Sequence, residues 1–163
     1  MMLRCVRATF LLLAAGWMTG AGTPLAQADQ VFLTKGAPNR GQISQMTKDG
    51  VTLEVTGVPR QFPVNEIIRI TFQGEPSELG NARNAVTQRN YSLALQELKK
   101  LDVQPQDNKF VAADVAFYKA LCTARLAMTE GGDKGAALQA LFDWVKANPN
   151  NYHFYQAAEV LGD

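Results

Sequence analysis

The sequence predicts an α+β fold in which a small five-stranded antiparallel β-barrel precedes an array of α-helical hairpins. Two observations carry this. Apolar residues alternate with polar ones up to Phe72, then recur every three or four positions from Leu79 onward. The change falls on Gln73-Gly74-Glu75-Pro76, a tetrapeptide suited to neither strand nor helix.

The first residues are read as a targeting segment and set aside. Arg4 and Arg7 precede the apolar run from Ala8 to Ala15, and Ala26-Gln27-Ala28 is a small-x-small cleavage site. The apolar run is too short to span a bilayer, which takes about 20 residues. Residues 1–28 are therefore expected to be a signal peptide, with cleavage between Ala28 and Asp29 and export to the periplasm or cell envelope. Cys5 lies before the apolar run, too early to carry a lipid. Removing the leader leaves 135 residues, with 14 basic side chains against 15 acidic. No later segment is apolar enough to be transmembrane. Cys122 is the one remaining cysteine, so an internal disulfide is excluded and stability must come from packing. It sits among apolar helical residues and reads as a buried structural thiol.

The first module covers residues 29–73. Residues 30–34 form a short apolar strand, ended by Lys35-Gly36-Ala37-Pro38-Asn39. Residues 42–47 and 51–56 form a hairpin about Asp49-Gly50, and Val51, Leu53 and Val55 share one face. Residues 60–64 are extended, and Pro63 cannot donate to a ladder. Residues 67–72 are β-branched; Ile68, Ile70 and Phe72 alternate onto one face. Five strands in so short a stretch suit a small barrel closed around Val, Ile, Leu and Phe.

On Gly41-Gln42-Ile43, Asp49-Gly50-Val51 and Val64-Asn65-Glu66-Ile67-Ile68-Arg69-Ile70, this module resembles Sm-like and SH3-like small barrels. Those barrels imply RNA, peptide or cell-wall binding. Nucleic acid fits poorly here: the charge is near neutral, and Phe32, Phe62 and Phe72 are expected on apolar faces rather than on a basic stacking surface. Arg40, Arg60 and Arg69 are read as solvating the outer face.

The second module covers residues 74–163. Pro76-Ser77-Glu78 starts a helix well, because proline suits a first turn and acidic groups favour the positive end of the macrodipole. Leu79, Ala82, Ala85 and Val86 form its stripe; Tyr91, Ala94, Leu95, Leu98 and Leu101 form the next. A third helix is predicted over 109–128, with Val111, Val115, Tyr118, Leu121, Cys122 and Leu126 inward. A fourth is predicted over 136–147, with Ala137, Leu141, Phe142 and Trp144 inward, and a fifth over 152–161.

Ala137, Leu141, Trp144 and Pro149 carry a resemblance to tetratricopeptide repeats, as do Ala94, Leu98 and Leu101 with Pro105 one residue early. Ala94 and Ala137 are 43 residues apart, against a period of about 34. The resemblance implies a concave binding face built from first helices, where Arg83, Asn84 and Thr87 are the candidate ligand contacts. The fifth helix reads as half a repeat, so the array is expected to be incomplete at Asp163 or to be capped by this helix as a lone element. The overall pattern also resembles exported barrel-plus-repeat proteins of planctomycete-type bacteria, a family that implies no activity.

Chemistry finds little support. His153 lacks the spaced partners of a zinc site and is expected on the exposed side of the last helix. Asp102, Asp107 and Asp114 read as separate surface charges. Gly131-Gly132-Asp133-Lys134-Gly135 follows a helix and lacks the order of a phosphate loop. No catalytic residue, metal ligand or cofactor is assigned. The expected function is a non-catalytic scaffold that binds a protein or peptide of the cell envelope. The alternative is a cell-wall or polysaccharide-binding module using the barrel. A hydrolase ranks third; it requires a cleft where His153 meets Cys122 or a carboxylate.

Overall fold

The computed structural model describes residues 28–105, 107–129 and 132–163. The predicted signal segment, except Ala28, lies outside them. Five antiparallel strands come first: β1 (Asp29–Leu33), β2 (Asn39–Met46), β3 (Gly50–Val55), β4 (Val58–Pro63) and β5 (Ile67–Thr71), the last preceded by a single 3₁₀ turn at Val64–Glu66. Their order across the sheet is β4-β3-β2-β1-β5. Five helices follow: α1 (Ser77–Thr87), α2 (Tyr91–Lys99), α3 (Lys109–Thr129), α4 (Lys134–Ala147) and α5 (Phe154–Gly162).

The sheet is open, which corrects the expected closed barrel. Among the described residues no ladder joins β4 to β5, although they are consecutive in sequence. Pro59 and Pro63 explain part of this, because neither supplies an N–H to an outer partner. A second correction concerns Ile68. Phe32 pairs with Arg69 and Leu33 with Ile67, so Ile68 is an extra residue in a bulge. The bulge breaks strict alternation: Ile70 and Phe72 are buried, whereas Ile68 is 66% exposed.

Val31, Ile43, Val51, Leu53 and Ile70 fill the inner face of the sheet. Gly50 lets two strands approach closely, since a Cβ there would lie 2.5 Å from the Phe62 carbonyl oxygen. This requirement for space, rather than a positive φ, is why glycine stands after Asp49. Asp29 fastens the first strand: its carboxylate accepts the Ile43 N–H and the Gln73 N–H, both at 2.7 Å.

Side chains that accept first-turn N–H groups set the helix starts. Asn90 accepts from Leu93, Asn108 from Phe110 and Val111, and Asp133 from Ala136. Each helix packs on the next, and α3 also touches α1 and α5. Short connections between packed neighbours make them antiparallel hairpins. Leu79, Ala82, Ala94, Leu98, Phe117 and Leu141 are fully buried among them. Phe142, expected inward, is exposed instead and lies beside Lys146. Sheet and helices share one hydrophobic core, in which Phe72 stacks on Phe110 with centroids 6.1 Å apart. No helix among the described residues is long and apolar enough to cross a membrane.

Candidate functional site

A cleft of about 950 Å³ separates the β1–β5 side of the sheet from α1, α3 and α5. Phe32, Leu33, Ile68 and Arg69 line its sheet wall. Asn84, Thr87 and Arg89 come from α1 and its end; Tyr118 and Arg125 come from α3; Tyr155 and Glu159 come from α5. Tyr91, the first residue of α2, also lines the cleft.

Arg83 and His153, which line the cleft, meet on Asp114 beneath it. Arg83 (α1) donates through Nε and Nη2 to Asp114 Oδ2 (α3), the shorter contact being 2.7 Å. Its Nη1 reaches both oxygens of Glu75 at 2.8 and 2.9 Å. Asp114 Oδ1 lies 2.9 Å from Nε2 of His153, the residue that precedes α5. Glu75 also accepts the Phe72 N–H. A continuous polar chain therefore runs from the end of the sheet through the joint to the last helix.

Its members other than the half-buried Glu75 are almost wholly buried. Arg83 is 5% exposed, and Asp114 and His153 are each 2% exposed. Burial alone would raise the Asp114 carboxyl, but the charges and hydrogen bonds of His153 and Arg83 outweigh it. The group is held below the usual carboxylate range. Burial likewise opposes the charge on Arg83, and Asp114 and Glu75 overcome it, so the guanidinium holds its proton more firmly than a free one.

These positions correct two expectations. Neither His153 nor Asp114 lies on the surface. The signal was present in their spacing: Asp114 falls on the same helical stripe as Val111, Tyr118 and Leu121, and His153 precedes Ala157 by one helical turn. A charge on an apolar stripe reads as an interruption until its partner, remote in sequence, is placed. Glu75 and Gln156 lie near their partners in sequence, 8 residues from Arg83 and 3 from His153, but no local pattern marks either one. Arg83, Asn84 and Thr87 all line the cleft, but the Arg83 guanidinium is engaged by Glu75 and Asp114, whereas Asn84 and Thr87 are exposed.

The hydrolase condition, a histidine beside a carboxylate at a cleft, is met by His153 and Asp114. The geometry gives the imidazole a structural setting. A carboxylate only accepts, so Nε2 carries the proton toward Asp114. Nδ1 faces Gln156 Oε1 at 3.2 Å. The ring stacks on Phe117 with centroids 3.8 Å apart. Among the described residues, no hydroxyl or thiol is hydrogen-bonded to the imidazole. Cys122 is buried, and burial pushes its thiol up to about 12, away from the thiolate that nucleophilic chemistry needs. Asp133, in the glycine-rich loop, caps α4. Among the described residues no three His, Cys, Asp or Glu side chains form a metal-binding group.

Sheet and helices also meet beside Tyr155, which lines the cleft. The Lys48 N–H lies 3.3 Å from Asn150 Oδ1, and the Tyr155 hydroxyl donates to Asp49 at 3.3 Å. These contacts join the β2–β3 turn to the start of α5. In comparisons with protein-family models, curated proteins and solved structures, the chain matches none.

Proposed function

We propose that the protein is an exported, non-catalytic scaffold of the bacterial cell envelope that binds a protein or peptide segment in the cleft between sheet and helices. The observation that carries this is the cleft itself. It is lined by α1, α3, α5, the start of α2 and a sheet wall, and its Arg83 and His153 are tied from beneath by Glu75 and Asp114. A wall of exposed and half-buried apolar groups with a few polar side chains is the usual composition of a ligand site. The non-catalytic reading is supported by the engagement of both imidazole nitrogens. We read the helices as tetratricopeptide-like hairpins, because the spacing at Ala137, Leu141 and Trp144 places all three in the core. Export rests on the leader pattern of residues 1–28.

A photo-crosslinking residue at Thr87, in the cleft, is expected to capture a partner from an envelope extract. The same residue at Lys99, exposed on α2, is expected not to. Equal capture at both positions, or at neither, overturns the reading. Amino-terminal sequencing of the processed protein is expected to begin at Asp29.

The cleft aromatics Phe32, Tyr91 and Tyr155 favour a second reading, in which the site holds a cell-wall polysaccharide. Retention on isolated peptidoglycan that is lost in Phe32→Ala and Tyr155→Ala would select it.

A further inference from the structure

Among the described residues, two cleft arginines have no acidic partner. Of the four that line the cleft, Arg83 is engaged by Glu75 and Asp114, and Arg125 by Asp163 at 2.8 Å. Arg69 and Arg89 have no carboxylate within ion-pair distance among the described residues, and Glu159 is the one acidic side chain in the lining. The Arg69 guanidinium rests on the Phe32 ring, 4.2 Å from its centroid. Such stacking holds a guanidinium in place with its N–H fork still available. The bulge turns Ile68 outward beside it, giving an apolar contact next to the charge.

Arg89 adds an independent observation. It follows α1 with φ of 58°, in the left-handed region. Its N–H bonds to the Val86 carbonyl, and the next N–H, of Asn90, to the Ala85 carbonyl. This is the helix ending in which glycine is usual, because a side chain there is strained. The chain carries an arginine at this position, and the arginine lines the cleft.

We infer that the cleft selects an acidic peptide segment, whose carboxylates are taken by Arg69 and Arg89 while its apolar side chains lie on Phe32 and Ile68. The inference rests on the peptide-binding reading and adds the chemistry of the partner. The charge balance of the lining favours a carboxylate ligand, and arginine forks match carboxylates in two-point contact.

The probe is a short fluorescein-labelled peptide of glutamate and leucine, compared by anisotropy with its lysine–leucine counterpart. Each is made with a free and with an amidated carboxyl end, which separates side-chain carboxylates from a terminal one. The glutamate probe is expected to bind at least about ten-fold more tightly, and added salt to weaken it. Arg69→Gln and Arg89→Gln are each expected to reduce its affinity about five- to ten-fold. Arg60→Gln, exposed on β4, is expected to leave it unchanged. Arg89→Gly is expected to raise the melting temperature and still lose affinity, so that loss cannot be ascribed to unfolding. No binding of the glutamate probe, equal binding of both probes, or indifference to the two arginine variants overturns the inference. So does displacement of the probe by polygalacturonate at lower concentration than by unlabelled peptide, which assigns the site to a polysaccharide. If Thr87 captures partner segments with no acidic bias, this inference falls and peptide binding stands. If Thr87 captures nothing, the reading beneath it falls.

Discussion

The interior of the sheet and the interior of the helical array solve the same problem with different chemistry. Val31, Ile43, Val51, Leu53 and Ile70 exclude water from the sheet using carbon alone. The seam between α1, α3 and α5 buries Arg83, Asp114 and His153 with an aromatic group, Phe117, against the imidazole. Apolar packing is tolerant: many side chains of similar volume serve. A buried ionic chain is intolerant, because removing one member strands the others without water. The comparison teaches that the helical half has a particular register of three helices built into it. That register fixes the wall of the cleft.

The comparison breaks most clearly at Asp114. Asp114→Ala leaves Arg83 and His153 without their shared carboxylate in a buried place. It is expected to lose about 3–5 kcal/mol of stability, read by urea unfolding. An unchanged midpoint would show that the seam is not held by charge.

Acid should sharpen the same contrast. The Asp114 carboxyl is held below its unfolded value, which is about 3.9. Its contribution is therefore present above that value and lost as pH falls through the lower, folded one. Acid unfolding followed by helix dichroism should show a component below about pH 4 that is missing in Asp114→Ala.

In the sheet, Leu53→Ala is expected to lose about 2–5 kcal/mol through lost burial and the cavity left behind. Its loss should be the same at pH 5 and pH 8, because the deleted atoms are aliphatic and carry no titrating group. A loss that varies with pH would join the two interiors into one electrostatic unit.

A smaller effect is expected at the seam between modules. Asp29→Ala removes the acceptor for Ile43 and Gln73 N–H groups, at about 1–3 kcal/mol. Amide exchange should quicken at Ile43 before it does at Leu98. Simultaneous quickening would mean that sheet and helices open together.

Local pattern sufficed for much of this molecule. The five strands and five helices sit within a few residues of where alternation, three-to-four spacing and the breakers Gly74, Pro76, Pro105 and Pro149 place them. Val51 and Leu53, or Ala94 and Leu98, declare their burial because their neighbours in the chain repeat the same period. Ile68 did not, since a bulge is set by pairing with β1 and not by its own strand. Asn84 and Thr87 are candidates from their place on a first helix, and both line the cleft. Arg69 and Arg89 became candidates only once the cleft brought a strand and a helix end together.

The sequence by itself therefore determined the order of elements, the turn positions and the aliphatic core, all of which depend on contacts between residues close in the chain or on a fixed period. The tertiary structure alone decided that the sheet stays open, that Asp114 and His153 are buried, and that Arg69 and Arg89 come together in a cleft. Those outcomes depend on pairings across tens of residues, 39 between Asp114 and His153. A charged side chain carries the same letter whether it meets water or a buried partner. What separates the two is the desolvation cost and the partner that offsets it, and both exist only after the helices have packed.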